Sequence, residues 1–215
     1  MRTEWIPLSA AALVTGVMAL VLGSLLNPLA DNATQSQTLD AATHEAARWL
    51  AMSMMYFLGA VALTLGMPTL LSLFIGRGRT VGVLGVAVFA IGIVGMAGFA
   101  MLMVFYRALL VEKVLSPGSI DRVAENVSLL SFLYVWIGGF LGGVFLIAIA
   151  LFRAKRTPLW VPGLLLVFLA FMPFSDMLGR TGSALQLMAL AAAFTGIATT
   201  ASSPEHREVL QRSTA

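Results

Sequence analysis

The residues that could do chemistry in this chain lie near the ends of its apolar stretches. Asp176 and Arg180 stand four positions apart, just after Pro173. A proline kink would free backbone carbonyls beside this carboxylate and guanidinium, and the group could then bind a neutral or amphipathic solute or act on a lipid. In a plainer interpretation, both side chains end a helix and reach towards water. The candidate polar cluster at this face consists of Asn27, Tyr106, Arg107, Asp176, Arg180 and Gln186.

Several kinds of site are excluded by what the sequence lacks. It contains no cysteine, which removes disulfides, thiolate metal sites, iron–sulfur clusters and cysteine nucleophiles. The two histidines, His44 and His206, are predicted on opposite sides of a membrane, so they cannot share a haem or another metal. No Ser–His or paired-Asp arrangement occurs within an apolar stretch. We therefore predict no catalytic residue, no metal site and no cofactor, and we expect binding rather than catalysis.

Six apolar stretches must position these residues. The 215-residue chain is 59% hydrophobic and only 11% charged, against about 25% charged in soluble domains. Its charge-free runs suit helices that cross a membrane, which need about 20 apolar residues and satisfy their own backbone hydrogen bonds. We predict an all-α fold, a polytopic bundle of six transmembrane helices in one domain at 1–201. The predicted spans are 6–29, 49–75, 80–106, 127–152, 158–175 and 182–200, followed by a polar cytoplasmic tail at 202–215.

The last two spans allow a second interpretation. Pro162 and Pro173 interrupt the fifth stretch, and Gln186 lies within the sixth. Short, polar-interrupted stretches can enter and leave the same side of a membrane. A single re-entrant hairpin is therefore the alternative to two full crossings.

The distribution of lysine and arginine predicts the orientation. The N terminus, the loops at 75–80 and 153–157 and the tail together hold eight of these residues, and the other connections hold five. Cytoplasmic loops are enriched in lysine and arginine, so both termini are predicted to be cytoplasmic. This pattern accounts for the net charge of +3, and we expect no nucleic-acid partner.

The connection before the second span has helical character. Thr38 and Asp40 are typical of a helix start, and Asp40, His44 and Arg48 recur at four-residue spacing just before Trp49. We predict that the second helix begins outside the membrane, near Thr38.

Small residues predict which helices touch. Membrane helices associate by close backbone approach at glycine, because lipid tails are as apolar as leucine. The fourth span carries two overlapping G-x-x-x-G motifs within 138–143, and the third span is also rich in glycine. We predict that these two spans form a tight antiparallel pair; alternatively, such grooves admit a ligand or partner helix. The predicted packing residues are Gly16, Gly23, Gly85, Gly92, Gly95, Gly138, Gly139, Gly142 and Gly143.

One short run carries a resemblance. From Leu151 to Leu165 the chain reads LFRAKRTPLWVPGLL, a basic loop followed by proline, an aromatic residue and a Gly-Leu-Leu start to the next span. This run resembles the cytoplasmic hairpin of uncharacterised bacterial six-helix integral membrane proteins, grouped as domains of unknown function. The resemblance extends over about residues 129–171. It implies six helices in a bacterial plasma membrane and brings no activity with it.

Three functional hypotheses follow from these observations. The first is an accessory or scaffolding membrane protein whose partners are membrane lipid, another membrane protein or a second copy of itself. The second is a small permease for a neutral or amphipathic solute, with a cavity among the first, fifth and sixth spans. The third is an enzyme that modifies lipid at the outer interface through the polar cluster. The enzyme ranks last, because the sequence contains no recognisable pair of nucleophile and base.

Overall fold

The structure is a computed structural model that describes residues 5–29, 35–112, 114 and 126–206. These ranges are entirely helical apart from turns and short connections, which confirms the predicted all-α fold. The tail beyond residue 206 lies outside the described residues. The helices are α1 (Ile6–Leu26), α2 (Gln35–His44), α3 (Ala46–Leu73), α4 (Arg79–Val111), α5 (Val127–Ala154) and α6 (Trp160–Ser202).

Five segments of the described chain are long and apolar enough to cross a membrane. They are α1, α3, α4, α5 and the second part of α6, Leu185–Ser202. The first part of α6, Trp160–Met172, is apolar but shorter. The chain is therefore a multi-pass membrane protein, and a sixth crossing at 158–175 stays a prediction.

Helix α6 folds back on itself. The Gln186 side-chain nitrogen Nε2 donates a hydrogen bond of 3.1 Å to the Phe168 carbonyl, although the two residues are 18 positions apart. A straight helix would separate them by about 27 Å. Gly196 likewise contacts Trp160, from which a straight helix would hold it about 54 Å away. Trp160–Met172 and Leu185–Ser202, called here the first and second limbs, therefore run antiparallel and side by side.

Helix α2 is separate from α3. The helix is interrupted at Glu45, so the prediction of a single helix from Thr38 onwards is wrong. Thr38 lies inside α2 and does not cap it. The break lets α2 lie against α3 and α4. It is held there by the Arg107 side-chain nitrogen Nε, which donates to the Ala42 carbonyl at 3.0 Å. Trp49, fully buried just after the break, donates through Nε1 to the Met103 carbonyl at 3.0 Å.

Helices α1 and α3 pack backbone to backbone. A Cβ atom on Gly16 would lie 2.7 Å from the Leu63 backbone nitrogen, and one on Gly66 would lie 2.8 Å from Leu13 Cα. Gly23 faces the ring of Tyr56 in the same way. Real Cβ atoms do not tolerate such distances, so this pairing depends on glycine at these positions.

A hydroxyl group from α1 completes the backbone hydrogen bonding of α3 next to Pro68. The Ser9 side chain of α1 donates to the Leu65 carbonyl at 2.9 Å and accepts from the Thr69 nitrogen at 3.1 Å. Leu65 and Thr69 are four residues apart and would otherwise bond to each other. Proline disturbs the helix at this point by its ring and its missing N–H. Ser9 is thus inserted into the helical ladder of its neighbour.

Replacing Ser9 with alanine is expected to lower the free energy of unfolding by about 1–2 kcal/mol. The change leaves a buried donor and a buried acceptor to re-pair across a distorted turn, and hydrogen bonds between membrane helices contribute up to roughly that amount. Unfolding in mixed detergent and dodecyl sulfate, followed by circular dichroism, measures the effect. Ser131→Ala, at an exposed position of α5, is the matched control. Equal stability of Ser9→Ala and the control would contradict the bridging role.

Helices α4 and α5 form the second close pair, and glycines supplied by both helices lie at the contact. A Cβ on Gly92 would collide with the Phe140 backbone, and one on Gly143 with the Phe89 backbone. Cβ atoms at Gly85 and Gly139 would lie 3.0 Å from backbone nitrogens of the opposite helix. Outside α5 itself, none of the described residues comes within 4 Å of the Cβ position of Gly138, and Gly142 meets only Val88 at 3.8 Å. Of the two overlapping motifs in α5, the one formed by Gly139 and Gly143 is therefore buried against α4.

Candidate functional site

A groove of about 620 Å³ runs between α5 and the two limbs of α6. Its volume lies in the range typical of sites for small molecules. Its lining is apolar except for a few polar groups and consists of Trp136, Ile137, Phe140, Leu141, Phe168, Leu169, Met172, Ser183, Gln186 and Leu187. These residues lie along the helices, so the groove is on the side of the bundle.

Aromatic packing and one side-chain amide shape the groove. The Phe140 ring lies edge-on to the Phe168 ring, with centroids 6.4 Å apart, and also packs against Phe89 of α4 at 5.2 Å. The Gln186 amide holds the two limbs of α6 together through the Phe168 carbonyl. Both walls of the groove are therefore held in place. Contact with α4 holds α5, and the hydrogen bond between its two limbs holds α6.

Trp136 has the only side-chain polar atom of the described groove lining that is buried without a hydrogen-bond partner. Its Nε1 is inaccessible to solvent, and no acceptor is within reach of it in the part of the chain that the structure describes. Its Cβ is pressed against Gly95, and its ring lies 5.6 Å from that of Phe99. An unsatisfied buried donor costs about 1–3 kcal/mol. The indole N–H is thus without an acceptor among the described residues, and the carbonyl of a bound molecule would reach it only after a shift of the ring towards the groove.

Trp136 also lines a second, smaller groove. This groove has a volume of about 330 Å³, and its other walls are residues of α4 and α5 that include Ile91, Val94 and Phe132. It is almost wholly apolar, as expected for a surface that faces lipid tails. Trp136 lines both grooves, so its indole ring lies between two mostly apolar spaces.

The predicted polar cluster is divided among separate places. Gln186 lies in the groove, whereas the Asn27 side-chain oxygen accepts from the Leu29 nitrogen in the turn after α1. Tyr106 and Arg107 lie near the end of α4, where Arg107 bonds to α2 and Tyr106 packs in the small core around Trp49. The side chains of Asp176 and Arg180 are outside the described residues.

The sequence predicts a cavity among the first, fifth and sixth spans, whereas the groove in the structure lies between α5 and the two limbs of α6. The groove uses α5, the fourth predicted span, in place of α1, which packs against α3 and α6. Sequence reasoning missed Trp136, Phe140 and Phe168. A usable signal was present, because a tryptophan deep in an apolar run carries an N–H that must find an acceptor.

No group of three or more His, Cys, Asp or Glu side chains that could hold a metal occurs in the described residues. The chain matches no protein-family model, no curated protein and no solved structure. The likeness of Leu151–Leu165 to six-helix membrane proteins therefore stays a prediction. The groove and its unpartnered donor are the basis for assigning a function.

Proposed function

We propose that this chain is an accessory membrane protein that holds a lipid-like, amphipathic molecule in the groove between α5 and α6. The observation that supports the proposal is the buried indole N–H of Trp136, which lacks an acceptor among the described residues of a mostly apolar groove. Lipid tails cannot accept a hydrogen bond. An ester or amide carbonyl can do so, and it carries an acyl chain that suits the apolar walls.

The lining favours a molecule with one acceptor over a strongly polar solute. Aromatic rings and aliphatic side chains of Phe140, Phe168 and Met172 form most of the wall, and the Gln186 amide nitrogen is already bonded to a backbone carbonyl. A charged or sugar-like solute would lose its hydration here without recovering enough hydrogen bonds. The permease alternative would therefore apply to an amphipathic solute only.

Binding of another membrane helix is the second candidate, supported by the open position of Gly138. This glycine belongs to a G-x-x-x-G motif, it is exposed, and the described chain leaves it without a neighbour within 4 Å. Tyr134 and Val135 beside it are also strongly exposed, at 70% and 63%. A helix of a second copy or of another membrane protein could approach closely at this surface.

Native mass spectrometry of the detergent-purified protein tests the proposal. The wild-type chain is expected to retain one molecule of lipid-like mass, and Trp136→Phe is expected to retain it about five- to tenfold less. Phenylalanine keeps an aromatic ring but deletes the donor, and loss of one buried hydrogen bond contributes roughly this factor. Trp5→Phe, at a position 62% exposed, is the control.

The outcomes separate the candidates. Equal retention by Trp136→Phe and the control would overturn lipid binding at this donor. A dimer or a second subunit in the same spectrum, lost on Gly138→Leu with lipid retention unchanged, would instead support helix binding.

A further inference from the structure

The Gln186 amide is oriented by its own hydrogen bond. Its nitrogen Nε2 donates to the Phe168 carbonyl at 3.1 Å, and a backbone carbonyl only accepts, so the two ends of the amide are distinguished. The oxygen Oε1 of the same planar group has two acceptor positions. Gln186 lines the groove and is only partly buried. Its amide therefore presents an acceptor to a molecule in the groove.

This amide lies far from either surface of the membrane. Trp160 is exposed at the start of α6, beside the basic loop at 153–157, a position typical of tryptophan at a membrane–water boundary. Phe168 is eight residues, or about 12 Å, further along the first limb. Gly196, which contacts Trp160, is ten residues, or about 15 Å, from Gln186 along the second limb. Both limbs thus place the amide about halfway across a hydrocarbon layer of about 30 Å.

This depth restricts which part of a bound molecule can reach Gln186. The charged headgroups of ordinary lipids lie at the boundary, and they would lose their hydration halfway across. Among the described lining residues of the groove, none is charged and could compensate for that loss. A ring with one or two uncharged hydroxyl groups loses far less, provided that each hydroxyl finds a hydrogen-bond partner.

The walls of the groove suit an aromatic ring. Phe140 and Phe168 line it with their ring centroids 6.4 Å apart, and Met172 lies beside them. Aromatic rings pack well edge-to-face, and a thioether packs well against the edge of a ring. The volume of about 620 Å³ accommodates a ring and part of a chain. Met172, Leu185 and Met188 are exposed, so the groove opens towards lipid.

We propose that the groove binds a hydroquinone ring carried on an apolar chain, with one ring hydroxyl donating to Gln186 Oε1 and the ring packed against Phe140 and Phe168. This assignment rests on the proposed function and narrows the lipid-like molecule to one whose polar group is an aromatic hydroxyl. The second ring oxygen is an acceptor for the Trp136 N–H, once the indole has shifted towards the groove. The hydroxyl donor distinguishes a hydroquinone from the corresponding quinone, whose two oxygens only accept.

Isothermal titration calorimetry tests this assignment with the full chain in phosphatidylcholine nanodiscs, and empty nanodiscs are the blank. Decylhydroquinone is the probe, and its dimethyl ether keeps the ring, the chain and both oxygens but cannot donate. The hydroquinone is expected to bind about tenfold more tightly, because the ether leaves the Gln186 acceptor without its hydrogen bond. Equal affinity of the two ligands for the wild-type chain would overturn the proposal.

Decanol separates an aromatic ring from an aliphatic alcohol. It keeps a hydroxyl donor on an apolar chain but cannot pack a ring against Phe140 and Phe168. It is therefore expected to bind at least about fivefold more weakly than decylhydroquinone. Equal or tighter binding of decanol would overturn the hydroquinone assignment in favour of an aliphatic alcohol.

Gln186→Met tests whether the ring hydroxyl meets this amide. Methionine keeps the length of the side chain and removes both polar atoms, including the bond to the Phe168 carbonyl. Loosening of the two limbs would weaken both ligands alike, so the readout is the ratio of their affinities, which is expected to fall to less than about twofold. Gln37→Met, at an exposed position of α2, is the matched control and is expected to keep the wild-type ratio. A wild-type ratio in Gln186→Met would overturn the role of Gln186, and the wild-type comparison decides the ring assignment even if this variant does not fold.

The two proposals fail separately. Equal binding of hydroquinone and ether, with lipid retention still lost in Trp136→Phe, overturns the hydroquinone assignment alone. No binding of any probe, with equal lipid retention by Trp136→Phe and Trp5→Phe, overturns the proposed function as well.

Discussion

Gly143→Leu is expected to destabilise the folded protein by about 3 kcal/mol or more. A Cβ at this position would collide with the backbone of Phe89, which cannot move aside as the end of a flexible side chain could. Overpacking in a well-packed core costs about 1–3 kcal/mol, and a backbone collision belongs at or above the upper limit. The expected result is separation of α4 from α5 and loss of the Phe89–Phe140 ring contact.

Gly138→Leu is the matched control for this prediction. Gly138 lies on the same helix and belongs to the overlapping motif, but its Cβ position is open in the part of the chain that the structure describes. Leucine also favours a helix over glycine by nearly 1 kcal/mol. Chemical unfolding followed by circular dichroism is expected to show a large loss for Gly143→Leu and none for Gly138→Leu. Equal effects would show that the pairing of α4 and α5 is not the one described.

Trp49→Ala is expected to cost about 3–5 kcal/mol and to release α2. Trp49 is fully buried, and removal of such a side chain from a core costs about this much. It packs between Ala42 of α2 and Leu110 of α4, and its N–H reaches the Met103 carbonyl. The expected result is a lower melting temperature together with faster proteolysis within Gln35–His44.

Two further variants separate the contribution of the Trp49 hydrogen bond to stability from that of its buried volume. Trp49→Phe keeps most of the volume and removes the hydrogen bond, so it is expected to lose only about 1–2 kcal/mol. Trp5→Ala, at an exposed position, is expected to leave stability unchanged. Proteolysis of α2 at the wild-type rate in Trp49→Ala would show that Arg107 alone anchors this helix.

The fold class could be predicted because composition determines it. In lipid the backbone is satisfied in helices or in closed barrels, and long charge-free runs without alternating polarity form helices. The residues at which the helices begin and end were harder to predict, because a helix can continue beyond the apolar part of the membrane. Helix α4 continues to Val111, beyond the predicted 106, since Arg107 finds an acceptor in α2. The break at Glu45 accompanies this docking of α2, a tertiary contact that local propensity does not predict.

The candidate site could be predicted only in part. Gln186 is a candidate from the sequence because it is a polar residue in an apolar run that could line a cavity, and it lies in the groove. Which partner it takes depends on the fold-back of α6, a tertiary event. The sequence does not distinguish Gly138 from Gly139, because each begins a G-x-x-x-G motif. The rotation of α5 about its axis turns Gly139 towards α4 and leaves Gly138 exposed. His206 is expected from the sequence to be solvated, whereas the structure leaves it only 7% exposed, and this burial depends on the fold at the end of α6.

The Ser9 bridge has a consequence for specificity. The glycine surfaces of α1 and α3 are smooth, and small residues recurring every three or four positions would permit the two helices to slide by one turn with little loss of contact. A hydroxyl inserted between Leu65 and Thr69 fits one alignment only, and the Thr69 side chain, bonded to the Ile6 carbonyl at 3.3 Å, selects the same one. A few polar atoms thus choose the register of an interface whose attraction comes from elsewhere, much as a single polar residue fixes the register of a coiled coil.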